Sequence, residues 1–273
     1  MSRARATLVT IPAGSFLMGN DDRHAIPGDG EGPVRTVDLD AYAIDAHAVT
    51  NARFAAFVEA TNHVTTAESE GWSFVFAGFL PDDFPPTRAV AQAPWWRQVY
   101  GADWSHPEGP QSDLGGRAGH PVVHVSRHDA EAYCAWVGLR LPTEAEWERA
   151  ARGGLTKAVY AWGDELTPGG QHRANIWQGR FPTNNTGDDG YLATCPVDAF
   201  EPNGLGLHNT AGNVWEWTSG TYSRGGLDGL VPMRGGSHLC HASYCDRYRV
   251  AARTANTPDA SSGHLGFRVA ADA

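Results

Sequence analysis

Three stretches of the chain carry a clear apolar period, and long unpatterned segments separate them. In the first, Phe54, Phe57 and Val58 share one face at helical spacing behind Thr50, which predicts a capped helix over Asn51–Ala60. In the second, Ser126 with Asp129 opens a helix whose apolar face is Ala130, Tyr133, Cys134 and Val137, and Gly138 ends it. Thr143 with Glu146 opens another, which Gly153 closes. The third, at the C-terminal end, alternates Leu265, Phe267 and Val269 as a strand does. Further strands are predicted at IPAGSFLMG (entered through Gly14), Val34–Leu39, HPVVHVS and Pro232–Gly236, with Asn20–Pro33 as a surface loop. Thr61–Gly119 and Trp162–Trp217 read as irregular, the kind of segment that lines sites. No repeat or linker interrupts the pattern, so 1–273 is read as one domain.

Composition narrows the function classes. A net charge of −10 argues against a general nucleic-acid binder, which needs a basic footprint. No apolar run is long enough to span a bilayer. MSRARATLVTIPAGSF has no continuous apolar core, so no signal peptide is expected. Four cysteines in 273 residues do not make a disulfide scaffold. In a reducing compartment, a close cysteine pair is metal-binding or redox-active more often than structural.

That places weight on Arg234–Arg253, which holds Cys240 and Cys245 among several arginines. An offset of five puts two strand residues on opposite faces and about 16 Å apart. In a helix the same offset leaves them about 140° apart. A bend must therefore bring the sulfurs together, and Gly235-Gly236 supplies permissive backbone for one. Spacing alone leaves a disulfide, a Cu(I) site and a zinc site completed by His238 and His241 all open. His120, His124 and His128 resemble a ligand run, but strand spacing sets the first two roughly 13 Å apart, too far for one metal. Cys134 lies on an apolar helix face and Cys195 precedes Pro196, and both are read as structural. Asn175–Tyr191 and Asn209–Glu216 offer the oxygen donors a hard cation takes, without the EF-hand spacing.

HPVVHVSRHDAEAYCAWVGLRLPTEAEWERAARGG and GLGLHNTAGNVWEWTS resemble the hallmark segments of the formylglycine-generating enzyme (sulfatase-modifying factor) superfamily, and the similarity spans essentially the whole chain. Members with different activities share those segments, so they point to the fold and not to the reaction. RGGSHLCHASYCDRYRVAARTANTPDASSGHLGFRVA is more discriminating and looks like the C-terminal segment of the genuine formylglycine-generating enzymes.

The resemblance implies an α+β single domain with little regular secondary structure, related to C-type-lectin-like folds. It implies a copper-dependent oxidase that uses O₂ and a thiol reductant to convert a cysteine of a CxPxR motif, in nascent or unfolded sulfatase, to Cα-formylglycine. Cu(I) would be held by Cys240 and Cys245, with Ser237 and Trp215 near the copper and oxygen pocket and Tyr244 a neighbouring aromatic. Two calcium sites transfer by position. One is Asn175, the Ile176 carbonyl, Asp189 and the Tyr191 carbonyl; the other is Asn209, the Gly212 and Val214 carbonyls and Glu216. Arg253 and Asn256–Asp259 match as scaffolding or peptide contacts, and Glu68 is nominated for the substrate arginine. The expected setting is a monomer in a bacterial cytoplasm. Rival readings are a non-catalytic lectin-like binding module and another oxidase of the superfamily, such as an iron-dependent sulfoxide synthase, which carries an extra helical domain.

Overall fold

Small sheets and short helices surround long ordered loops in the computed structural model, which describes residues 6–224 and 227–273. β1 (Leu8–Ile11) pairs with β4 (Tyr42–Asp45) and β4 with the C-terminal β15 (Ala270–Asp272), so the two ends of the chain share one sheet. β2 (Gly14–Met18) forms a ribbon with β3 (Arg35–Leu39). The central sheet runs β11 (Tyr222–Arg224), β12 (Leu227–Arg234), β10 (Trp215–Trp217) and β14 (Leu265–Phe267), with β13 (Arg253–Asn256) also on β12. A two-residue pair, β8 (Gly179–Arg180) with β9 (Asn184–Asn185), completes the set with the sheet described below. Among the described residues no helix is long and apolar enough to cross a membrane.

The helices follow the capping signals. α1 (Asn51–Thr61) starts at Thr50, whose side chain accepts from the Arg53 amide. α3 (Arg127–Val137) and α4 (Glu144–Ala151) both begin with reciprocal capping boxes, and Gly138 ends α3 in the left-handed conformation. α4 stops at Arg152, one residue before Gly153.

Two expectations fail, each for a packing reason. HPVVHVS is not a strand: Val122, Val123, His124 and Val125 are all buried, and His124 sits at φ 58, which breaks any two-residue alternation. Thr61–Gly119 is more regular than its sequence suggests. It holds α2 (Thr66–Glu70) and the sheet β5 (Trp72–Phe76), β7 (Ala93–Tyr100), β6 (Ala89–Val90). β5 carries apolar side chains on both faces, so no alternation marks it.

With so little ladder to hold it, the fold relies on buried ion pairs. Glu148 of α4 accepts from Arg152 at 2.6 Å and from Arg234 at 2.9 Å, and also caps the Gly19 amide at 2.7 Å. Arg249 forms a two-pronged pair with Glu31, both contacts 2.7 Å. Arg268 does the same with Glu216, which also accepts from the Trp147 indole. Each guanidinium is almost completely out of water. Such a pair adds little net stability, but losing one partner strands a buried charge. Glu148→Gln leaves Arg152 uncompensated and Arg234 with Glu144 alone, and is expected to cost about 3–5 kcal/mol. A urea unfolding curve checks it, and a loss below about 1 kcal/mol would mean these charges are already hydrated.

Candidate active site: a buried cysteine pair in an open cleft

The bend that Cys240 and Cys245 require is built from glycines and tight turns. Strand β12 ends at Arg234, and Gly235 and Gly236 follow at φ 97 and 73. A Cβ on Gly236 would stand 2.9 Å from the Arg247 carbonyl and 3.0 Å from the Tyr248 Cα, so the close return of the chain demands glycine there. The Cys240 amide then bonds back to the Ser237 carbonyl at 2.9 Å, and the Cys245 amide to the His241 carbonyl at 2.8 Å. These successive turns put the two sulfurs 2.6 Å apart, inside van der Waals contact, with both cysteines free and buried.

Burial pushes the Cys240 thiol well above its ordinary range, and its neighbour Cys245 adds to the rise. The hydrogen bond from Cys240 holds the Cys245 thiol below its own range, helped by the Arg247 guanidinium. The two thiols are thus pushed in opposite directions, Cys240 towards keeping its proton and Cys245 towards giving it up.

Ser237, Trp215, Cys240, Tyr244 and Cys245 all line one cleft of about 290 Å³. Ser237 Oγ lies 4.0 Å from Cys240 Sγ, and its oxygen also accepts from the Leu239 amide. Trp215, on β10, is buried in the main core with both cysteines, so the floor of the cleft is the core itself. Tyr244 is 42% exposed at the mouth, stacked on Phe181 at 4.5 Å and edge-on to Trp95 at 4.8 Å. Trp96, Asn256 and His264 close one side and are shared with a second cleft of about 420 Å³ that carries Glu70 and Asp259. His264 is fixed there by Ser262 at 2.7 Å and packs on Trp96 at 4.5 Å.

Several residues have other work. Glu68 accepts from the Thr65 amide and hydroxyl, so it caps α2, and the acidic cleft uses Glu70 and Asp259 instead. His238 bonds the Asn213 carbonyl through Nδ1, and burial lowers its pKa to about 4. It lines a separate small cavity, and His241 bonds Ser243. Among the described residues no cluster of three His, Cys, Asp or Glu side chains forms that could hold a metal ion. His120 and His124 bond Thr194 and Ser73 separately, and His128 is exposed. Arg253 belongs to the scaffold: it pairs with Glu144 and lies over the Tyr222 ring at 4.5 Å. Cys134 and Cys195 are buried, with thiols pushed up to about 12 by burial.

The two oxygen-rich loops meet through a bridge between Asn175 and Gly212. Asp189 accepts from the Ile176 and Tyr191 amides at 3.0 Å each, yet burial still raises its pKa, a carboxylate short of positive charge. In the other loop Asn209 Oδ1 is buried without a hydrogen-bond partner among the described residues. Glu216 fits a cation less well, because Arg268 already neutralises it and three of the roughly four acceptor positions of a carboxylate are filled.

The chain belongs to the family of sulfatase-modifying factor enzyme 1-like domains, whose model matches residues 2–273. It is 57% identical to a protein named formylglycine-generating enzyme from Thermomonospora curvata, over 97% of this chain and 93% of that one. It is also 47% identical to a Mus musculus protein named inactive C-alpha-formylglycine-generating enzyme 2, over 97% of this chain and 86% of that one. Among solved structures, PvdO from Pseudomonas aeruginosa superposes with a TM-score of 0.68 at 24% identity, covering 97% of this chain and 94% of that one. That likeness concerns the fold, a mixed arrangement of helix and sheet with few helices. Because the family includes a relative named as inactive, the site's own chemistry has to carry the functional reading.

Proposed function

We propose that this protein is a copper-dependent formylglycine-generating oxidase acting on a cysteine within a CxPxR motif of nascent or unfolded sulfatase, with O₂ as oxidant and a thiol as reductant. The observation that carries the reading is the convergence of two buried, free cysteines on an open cleft. A lectin-like module has no need of such a pair.

Cys240 and Cys245 are the residues that would hold Cu(I), a soft ion suited to thiolates. Bound there, copper would supply a coordination site for the substrate thiol and the means to activate O₂. The chain's own residues do the rest. Trp215 and Leu265 keep the floor apolar and exclude water. Ser237 stands beside Cys240, placed to hydrogen-bond a polar group in the cleft. Tyr244, with Trp95 and Phe181, forms an aromatic rim that orders the peptide entering from solvent. Holding the reacting groups in one geometry supplies much of the rate. The substrate Cβ becomes an aldehyde and its sulfur leaves as sulfide, while the thiol reductant provides the remaining electrons for O₂. The substrate arginine is read by Glu70 and Asp259 across the side that the two clefts share.

Calcium is proposed as a structural ion, held by Asn175, Asp189 and the Ile176 and Tyr191 carbonyls, with Asn209 leading a second site. The setting proposed is a monomer in a bacterial cytoplasm.

Mass spectrometry of a CxPxR peptide incubated with enzyme, Cu(I), O₂ and thiol is expected to show conversion of the cysteine thiol to an aldehyde. Cys240→Ser and Cys245→Ser are each expected to abolish it, and full activity in either variant overturns the assignment. Combining Glu70→Gln with Asp259→Asn is expected to raise KM about tenfold, the weight of about 1.4 kcal/mol. Turnover at saturation should stay near wild type. A peptide with methionine in place of arginine should show no such difference, and an equal rise with both peptides removes the arginine role. Chelation with EGTA is expected to lower the melting temperature by several degrees, as loss of an ion bound only to the folded state must. An unchanged melting temperature would leave these loops as ordinary turns.

A further inference from the structure

Of the charged side chains, only Arg247 reaches the lining of the cysteine cleft among the described residues, and its hydrogen-bond partner lies on a loop distant in sequence. Its Nε donates to Asp29 Oδ2 at 2.6 Å, and its guanidinium lines the cleft together with Cys245, where its positive charge helps to lower that thiol's pKa. Asp29 is completely buried, although it lies in the Asp/Gly/Pro-rich loop that sequence alone assigns to the surface. That loop is fastened on several sides. The Tyr222 hydroxyl donates to the Asp29 carbonyl at 2.7 Å, Arg253 to the Gly30 carbonyl at 3.2 Å, and Arg249 to both oxygens of Glu31.

We propose that Asp29 and Arg247 form a positioning pair for the cysteine centre: Asp29 fixes the Arg247 guanidinium against Cys245, where it is the cation that balances the charge of the loaded site. The proposal rests on reading the cysteines as a soft-metal dithiolate. Two thiolates and one monovalent cation sum to one negative charge, and a substrate thiolate adds a second. Water is largely excluded from the floor of the cleft, so that charge needs a fixed partner. A flexible lysine would meet it as a point charge. An arginine whose Nε is held by a buried carboxylate presents its remaining N–H groups in one plane, already aimed. Asp29 acts on the cysteine centre through Arg247.

The experiment uses the full chain, metal-free, as wild type, Arg247→Met, Arg247→Lys, Asp29→Asn and the double variant Asp29→Asn with Arg247→Met. Cu(I) affinity is read by competition with a chromophoric chelator. The rate of iodoacetamide modification at Cys240 and Cys245 is read separately by peptide mapping. Arg247→Met is expected to weaken Cu(I) binding by about ten- to a hundredfold, the usual weight of a residue supporting a metal's ligands. It should also slow alkylation. Arg247→Lys should recover part of both losses. Asp29→Asn should lose less than Arg247→Met, and the double variant should be no worse than Arg247→Met alone. Unchanged affinity and alkylation in Arg247→Met, or strictly additive losses in the double variant, overturn the pair. Should Asp29→Asn lose the fold, Arg247→Met and Arg247→Lys at the cleft surface still decide it. Absence of Cu(I) uptake by wild type, with the alkylation order kept, would remove the copper reading and the charge-balancing role with it, and leave Asp29 and Arg247 only as the pair that keeps Cys245 reactive.

Discussion

Buried arginine–carboxylate pairing is the constraint on which the rest of this fold depends. Arg234, Arg249 and Arg268 are among the largest side chains fully removed from water, and each is matched by a glutamate distant in sequence. A stranded guanidinium in such a place costs several kcal/mol, so only conformations that satisfy all of them together survive. These pairs do here what long ladders do in more regular proteins: they specify which loop lies against which. Arg249 and Glu31 are 218 residues apart, and their contact lays the N-terminal loop beside the cysteine segment.

The same pairing shapes the site. Arg234 is clamped by Glu144 and Glu148 of α4 at the point where β12 ends and the glycine bend begins. The bend is therefore anchored at its start by charge and crowded at Gly236 by the returning chain, which leaves Cys240 and Cys245 little freedom to separate. The cleft above them is open, while its floor belongs to the main hydrophobic core. A rigid floor beneath an accessible mouth suits a reaction in which a flexible peptide must present one thiol to a fixed centre. Because a relative named as inactive is 47% identical over 97% of this chain, the fold is best viewed as a platform, with activity residing in the few side chains placed on it.

Much was legible in the sequence wherever local chemistry decides local structure. Thr50, Ser126 with Asp129, and Thr143 with Glu146 marked helix starts correctly, because a cap is satisfied by residues only a few positions away. Family segments marked Ser237, Trp215, Tyr244, Cys240 and Cys245, and all five do line one cleft. The sheet of β5, β7 and β6 stayed hidden because β5 carries apolar side chains on both faces and β6 is a two-residue exposed strand, so neither shows the two-residue alternation. HPVVHVS misled for a different reason: Val123 and Val125 suggest one face, but Pro121–Ser126 are all buried and His124 breaks the backbone.

By itself, then, the sequence determined the family, the capped helices and the need for a bend between two cysteines. It also determined that glycine would make that bend, since only a residue without Cβ tolerates the left-handed backbone and the close return of the chain. The tertiary structure alone decided that the sulfurs meet, that Glu70 and Asp259 serve the neighbouring cleft while Glu68 caps a helix, and that Asp29 stands behind Arg247. Those outcomes depend on segments far apart in the chain. Which charge finds which is settled by burial and mutual exclusion across the whole core, and no local window of sequence contains that information.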